Sequence, residues 1–265
     1  MKDFPRFIGM VHLPPLPGAP AGSLSLAACE ELARADARAL AAGGADALIV
    51  ENFGDAPFRP GRVDPHTVAA MTRIALAIRR TVDIPIGLNV LRNDGIAALG
   101  IALAVEAAFI RVNVLSGVMA TDQGLITGEA DELMRLRRYL DAGHIRVFAD
   151  VLVKHAAPLA PLTIADAVED VVLRGRADAV IVSGTATGKP ARLEDVSEAV
   201  QAEAGLPVYL GSGATAASIS QFIPPAYGAI AGTSLKRSGI VSEPVDQQRV
   251  RAFANAIANR TATNE

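Results

Sequence analysis

Four lysines occur in the 265 residues, and three of them, Lys154, Lys189 and Lys236, follow short apolar runs. A lysine is a compact, titratable ammonium suited to Schiff-base, proton-transfer or phosphate chemistry, whereas arginine, which supplies the rest of the basic charge, is permanently charged. Other polar groups end further apolar runs: His12 after FIGMV, Glu51 after ALIV, and Asp150 within VFADV, just ahead of Lys154 and His155. Carboxylates, imidazoles and an amine of this kind can move protons or form covalent intermediates. Glu51, Asp150, Lys154, His155 and His12 are therefore the candidate catalytic residues.

A second set suits an anion. The segments YLGSGAT and AIAGTSLK offer Gly211, Ser212, Gly213, Gly232, Thr233, Ser234 and Lys236. Glycine lets an anion approach the backbone N–H groups, the hydroxyls add donors and the lysine adds charge, so these are the candidate phosphate-binding residues. Between the two sets, VSGTATGKP has the look of a phosphate-binding P-loop but lacks its spacing and places Pro190 where Ser or Thr is required. It reads instead as a rim loop carrying Ser183, Thr185 and Lys189 over the site. Asn52, Asn89, Arg111 and Asn113 complete the candidate substrate-binding residues.

The elements that position these groups follow from periodicity. Apolar runs bounded by Gly, Pro or Asp fall at Phe7–Leu13, Ala47–Val50, Pro85–Val90, Ala108–Val114, Ile145–Val151, Ala177–Val182, Pro207–Leu210 and Tyr227–Ala231. Alanine-rich amphipathic segments lie between them, with Ser, Thr or Asp near their starts and Gly near their ends. Eight strand–helix units over this length predict a single (β/α)8 barrel spanning 1–265, with 1–6 as an N-terminal extension and 252–265 as a C-terminal helix or tail. A doubly wound open sheet is the alternative architecture.

Strand parity orients the polar groups. Ile110, Val112 and Val114 alternate with Phe109, Arg111 and Asn113, and Val147, Ala149 and Val151 alternate with Phe148, Asp150 and Leu152. If the branched set faces the helices, Arg111, Asn113 and Asp150 face into the barrel, as Asn89 does opposite Ile86, Leu88 and Val90. An extended continuation past Asp150 would bring the Lys154 ammonium over the barrel mouth. Polar groups at the carboxyl ends of barrel strands read as catalytic or binding groups. Structural readings compete: His12 bonding its proline-rich turn, Glu51 and Asn52 capping the following loop, Asp150 paired with Arg111. His66 and His144, near helix ends, and the single Cys29 read as structural.

Composition excludes several classes. A net charge of −3 and 4% aromatic residues leave neither a phosphate-tracking basic stripe nor stacking platforms for nucleic acid. One cysteine rules out an internal disulfide framework. The N-terminus has no long apolar stretch and no 18-residue apolar run occurs anywhere, so no membrane span is expected and the expected location is cytoplasmic. No organic cofactor is implied. A divalent metal could be held by Glu51, Asp150 and neighbouring Asn oxygens, although no dense ligand spacing is present. The expected partner is a phosphorylated small molecule, and a homo-oligomer is compatible with the sequence.

IGMVHLPPLPG, IVENFGDAPF, ADVLVKHA, VSGTATGKP and GSGAT together resemble the BtpA/SgcQ family from Phe7 to Arg251. The resemblance implies a barrel of the ribulose-phosphate-binding type. It also implies two different roles: one branch is a photosystem I biogenesis or stability factor peripheral to thylakoids, and another sits among sugar-uptake genes as a presumed sugar-phosphate enzyme. The expected function is accordingly acid/base chemistry on a phosphorylated sugar or related ester, of lyase, aldolase or isomerase type. The alternatives are a non-catalytic assembly factor for a membrane complex and a phosphate-ligand-binding module.

Overall fold

The computed structural model describes residues 4–184, 191–202 and 205–261, so Thr185 and Lys189 lie outside the described residues. Strands run in chain order as β1 (Phe7–His12), β2 (Ala47–Glu51), β3 (Ile86–Asn89), β4 (Phe109–Val112), β5 (Val118–Thr121), β6 (Gly124–Thr127), β7 (Arg146–Val151), β8 (Ala156–Pro158), β9 (Ala179–Val182), β10 (Val208–Leu210) and β11 (Gly228–Ala231). Eight of them close a parallel barrel in the order β1-β2-β3-β4-β7-β9-β10-β11. The open sheet is thereby ruled out. The other three, β6-β5-β8, form a small antiparallel sheet built from the loops after β4 and β7, which alternation in the sequence did not single out.

The helices α1 (Leu26–Gly43), α2 (Pro65–Arg79), α3 (Gly95–Ala104), α4 (Ala130–Tyr139), α5 (Ile164–Glu169), α6 (Leu193–Ala202) and α7 (Gln247–Thr261) surround the barrel. Local chemistry sets their ends. Ser25 accepts a hydrogen bond from Ala28 N at 3.2 Å to start α1, and Gly44 closes it at φ 98°, a conformation that glycine adopts without steric cost. Pro65 begins α2, where its missing N–H is not needed. The unit after β10 departs from the expected pattern: it holds only a 3₁₀ turn, Ile219–Gln221, because the chain soon reaches Pro224-Pro225, which cannot donate to a continuing helix.

Two cores result from strand alternation. The apolar residues Ile86, Leu88, Ile110, Val112, Val147, Ala149 and Val151 pack outward against the helices with Cys29 and Leu40. Inside, Phe109, Phe148 and Tyr209 stack with centroid separations of 4.7 and 5.2 Å. Room for Phe109 depends on Gly87, where a Cβ would fall 2.4 Å from the ring. The segment before β1 closes the bottom: Phe4 packs on Phe148, and the hydroxyls of Tyr209 and Tyr227 donate to the carbonyls of Pro5 and Phe4 at 2.7 and 2.8 Å. The interior is thus filled below and polar above.

Lys236 lies beneath this upper face. Its ammonium pairs with Asp36 of α1, which also accepts from Val245 N at 2.8 Å, so the lysine ties the loop after β11 to the helical layer. Contrary to the phosphate-binding role expected of it, Lys236 is only 2% exposed and its charge is committed to Asp36. Removing one partner would strand the other charge in the interior. Lys236→Met should lower unfolding free energy in urea titrations by about 3–5 kcal/mol, with Asp36→Leu/Lys236→Met recovering part of the loss.

Candidate functional site

Strand register brings the polar residues into adjacent layers at the carboxyl end of the barrel. His12 pairs with Glu51 and Glu51 with Asn89, across β1, β2 and β3. Arg111 and Asp150 form a buried pair, with Arg111 Nε and Nη2 each 2.8 Å from an Asp150 oxygen. The Ser183 hydroxyl donates to Asp150 Oδ1 at 2.8 Å and Asn113 Nδ2 to Oδ2 at 3.4 Å. Asn89 Nδ2 donates to the Arg111 carbonyl at 3.1 Å and to Asn113 Oδ1 at 3.0 Å, locking the group together. Charge burial is tolerated because both Asp150 oxygens and the Nε and Nη2 of Arg111 are engaged, leaving the rest of the guanidinium for the cavity. Asp150 is therefore committed to orienting Arg111 and does not line the cavity above it.

Two lobes open at the mouth. The first, about 200 Å³, is lined by Arg111 and by the loops after β10 and β11, Gly211–Thr215 and Gly232–Ser234. The second, about 210 Å³, is lined by Phe53, Phe58, Leu91, Arg92, Asp122 and His155 among others. Glu51 and Lys154 line both lobes. A molecule extending from one lobe to the other would pass over these two side chains.

Electrostatics at this waist drive its groups toward neutrality. Burial, reinforced by the cations of Lys236, Lys154 and Arg111, pushes His12 down to about 3, so its imidazole is neutral at pH 7. Its Nε2 stands 3.7 Å from Glu51 Oε1, and its Nδ1 is buried without a hydrogen-bond partner. Burial raises the Glu51 carboxyl against the opposing attraction of Lys154 and Arg111. Burial likewise lowers the Lys154 ammonium, with Glu51 opposing and Arg111 assisting. An acid and an amine each displaced toward the uncharged form are suited to exchange protons with a substrate. The exposed His155 is also lowered, by partial burial and then by Lys154 and Arg92.

In the first lobe, the N–H groups of Gly213, Thr233 and Ser234 donate to no acceptor among the described residues. Ser212 Oγ accepts from Gly184 N at 3.0 Å, joining the loops after β9 and β10. The Ser234 hydroxyl is spent on the Ala214 carbonyl at 2.6 Å, so the residue offers its N–H and not its side chain. Asn52 turns from the cavity to brace a loop, accepting from Leu91 N at 2.7 Å and donating to Asp55 Oδ2 at 3.1 Å.

The route from Asp150 to Lys154 is not the extended continuation expected. Leu152 takes φ of 47° on that route and His155 takes 58° just past it, so the chain turns before and after Lys154 and presents it from a loop held by β8 and by Arg92 Nη2, which donates to the Lys154 carbonyl at 2.6 Å. Sequence reasoning missed Arg92, Asp122 and the two phenylalanines of the second lobe. The available signal was ENFGDAPF itself, which places two of eight phenylalanines six positions or fewer apart in an aromatic-poor chain. Among the described residues no group of three or more His, Cys, Asp and Glu could hold a metal ion, and both Asp150 oxygens are already engaged. No helix of the described residues is long and apolar enough to cross a membrane.

Comparison with known proteins agrees with this architecture. A sequence model described as the BtpA family matches residues 5–259. The chain is 53% identical over 251 residues to the Photosystem I biogenesis protein BtpA of Synechocystis sp., covering 95% of this chain and 87% of that one. It is 49% identical over 251 residues to an uncharacterized protein of Thermococcus kodakarensis, covering 94% of each. Thiamine phosphate pyrophosphorylase from Pyrococcus furiosus has the same fold, with a TM-score of 0.59 over 96% of both chains at 14% identity.

The neutral His12 gives a pH-dependent test. Its folded value, about 3, lies below the value of 6.5 in an unfolded chain, so the unfolded state binds the proton more readily and stability falls as pH drops below 6.5. Denaturant midpoints measured at pH 7 and pH 4.5 should fall less for His12→Gln than for wild type. An equal fall would mean that His12 is protonated in the fold.

Proposed function

The chain belongs to the BtpA family, and we propose that its barrel is an enzyme acting on a small phosphorylated molecule, a sugar phosphate or related phosphate ester. The observation that carries this reading is the first lobe, where N–H groups of two small-residue loops and the Arg111 guanidinium surround a space that opens directly onto Glu51 and Lys154. Phosphate oxygens accept such hydrogen bonds strongly. Lys154 lines the same lobe and offers its N–H donors there, where Lys236 was expected. A cytoplasmic setting belongs to this reading, since charged phosphate esters do not enter a membrane readily.

With the phosphate anchored there, the carbon skeleton extends over the waist. Glu51, biased toward its protonated form, donates a proton or, once ionised, withdraws one; Lys154 takes the opposite role or stabilises negative charge developing on an oxygen. His12, neutral and 3.7 Å from Glu51, sets the environment of that carboxyl. Asp150 acts through Arg111 as a positioning residue. Binding energy gathered at the phosphate holds the reacting carbon in place, which is how a remote group contributes to turnover. The chemistry is of lyase, aldolase or isomerase type, all of which need an acid and a base at adjacent positions.

A second reading, an assembly or stability factor, draws on the name of the Synechocystis relative. The polar constellation weighs against it, because burying Arg111, Asp150, Asn89 and Asn113 costs stability that a scaffold has no need to give up. The two readings separate on ligand response. Sugar phosphates should raise the melting temperature of wild type, whereas Thr233→Asp, which places an anion in the first lobe, should weaken their binding by about 10- to 100-fold. Non-phosphorylated sugars should give no shift in either protein. Glu51→Gln should keep the ligand-induced shift while lowering turnover at least about 100-fold. Equal shifts with phosphorylated and plain sugars would remove the phosphate site, and turnover undiminished in Glu51→Gln would remove its acid/base role.

A further inference from the structure

The second lobe differs from the first in its chemistry. Among the described residues no glycine, serine or threonine lines it; Phe53, Phe58, Ala56 and Leu91 form apolar walls, with Arg92, Asp122 and His155 around them. The chain has no tryptophan and only eight phenylalanines, so two half-buried rings on one cavity are a substantial share of its aromatic surface.

These walls are built firmly. Gly54 N donates to the Leu13 carbonyl at 3.0 Å, and Leu16 N donates to Asp55 Oδ1 at 2.8 Å, pinning the segment between the rings to the proline-rich loop after β1. Gly54 has no substitute, since a Cβ would sit 2.3 Å from Pro15 N. Asn52 fixes the opposite wall through Leu91 N. Backbone held in this way, with the Phe53 ring packed on His12 at 4.8 Å between centroids, loses little freedom on binding, so the contact is pre-organised.

The charges of the lobe argue against a second anion. Arg92 is only 4% exposed and one of its nitrogens is occupied by the Lys154 carbonyl, while Asp122 stands near as a counter-charge. What remains is an apolar slot with hydrogen-bonding groups around it, which suits a flat, uncharged ring with polar edges.

We propose that the second lobe receives such a ring, joined to the phosphorylated part of the same molecule, so that the substrate class is a phosphorylated glycoside of a neutral heterocycle. The inference rests on the phosphate reading of the first lobe. It places the linkage between sugar and ring over Glu51 and Lys154, the two residues shared by both lobes.

Isothermal titration with ribose 5-phosphate, uridine 5′-monophosphate and adenosine 5′-monophosphate tests it. At least one nucleotide should bind about tenfold or more tightly than ribose 5-phosphate, the range expected when a base packs on an aromatic side chain. Phe58→Ser and Phe58→Leu, which stays apolar but lacks the ring, should reduce that advantage and leave ribose 5-phosphate affinity, the control for an intact fold, unchanged. Nucleotides that bind no better than ribose 5-phosphate, or an advantage untouched by either variant, would overturn the inference while the phosphate reading stood. Failure of all three phosphates to bind would remove both.

Discussion

A buried ion pair divides this barrel into a core and a site. Arg111 and Asp150, side by side on β4 and β7, are almost fully enclosed. Their separation from water is costly, and the cost is offset only because Ser183, Asn113 and Asn89 complete the hydrogen bonding around them. Below the pair the interior is an aromatic stack of Phe109, Phe148 and Tyr209 closed off by Phe4; above it the interior is polar and open. Held by Asp150 through two nitrogens, Arg111 lines the first lobe with its direction set. That same concentration of charge helps hold His12 neutral and modulates Glu51 and Lys154 at the waist.

Much of this layering was legible in the sequence because side-chain direction in a strand has a period of two. The alternation in AFIRVNV and RVFADV is enough to send Arg111, Asn113 and Asp150 inward, and the eight apolar runs lie on the eight barrel strands. Parity specifies a face, however, and not a partner. Asp150 faces inward as expected, yet its oxygens are consumed by Arg111. Lys236 follows a barrel strand as Lys154 does, but it meets Asp36, 200 positions away in the chain, and turns under the site. Ser234 is similarly diverted to the Ala214 carbonyl. Such outcomes depend on which distant group reaches first, and local pattern carries no information about that.

The missed elements have a different cause. β5, β6 and β8 are short, partly exposed strands whose residues VMAT, GLIT and AAP have no sustained alternation; they are stabilised by one another and by a small cluster of Val114, Met119, Ile126 and Val153. That sheet matters because β8 begins immediately after Lys154 and His155. It braces the loop that presents Lys154 at the waist, where the left-handed turns at Leu152 and His155 replace an extended path. In the same way, ENFGDAPF condenses several functions into eight residues: one carboxyl at the waist, two rings for a second lobe, and Asn52, Gly54 and Asp55 to hold them in place.

The central claim is that a phosphate anchored between the loops after β10 and β11 suspends its carbon skeleton over Glu51 and Lys154. A crystal structure with bound ribose 5-phosphate tests this most directly. The account predicts phosphate oxygens at about 2.7–3.1 Å from the N–H groups of Gly213 and Thr233 and from the Arg111 guanidinium, with the sugar directed toward Glu51. A phosphate bound away from the barrel mouth, or a sugar directed away from Glu51 and Lys154, would contradict it.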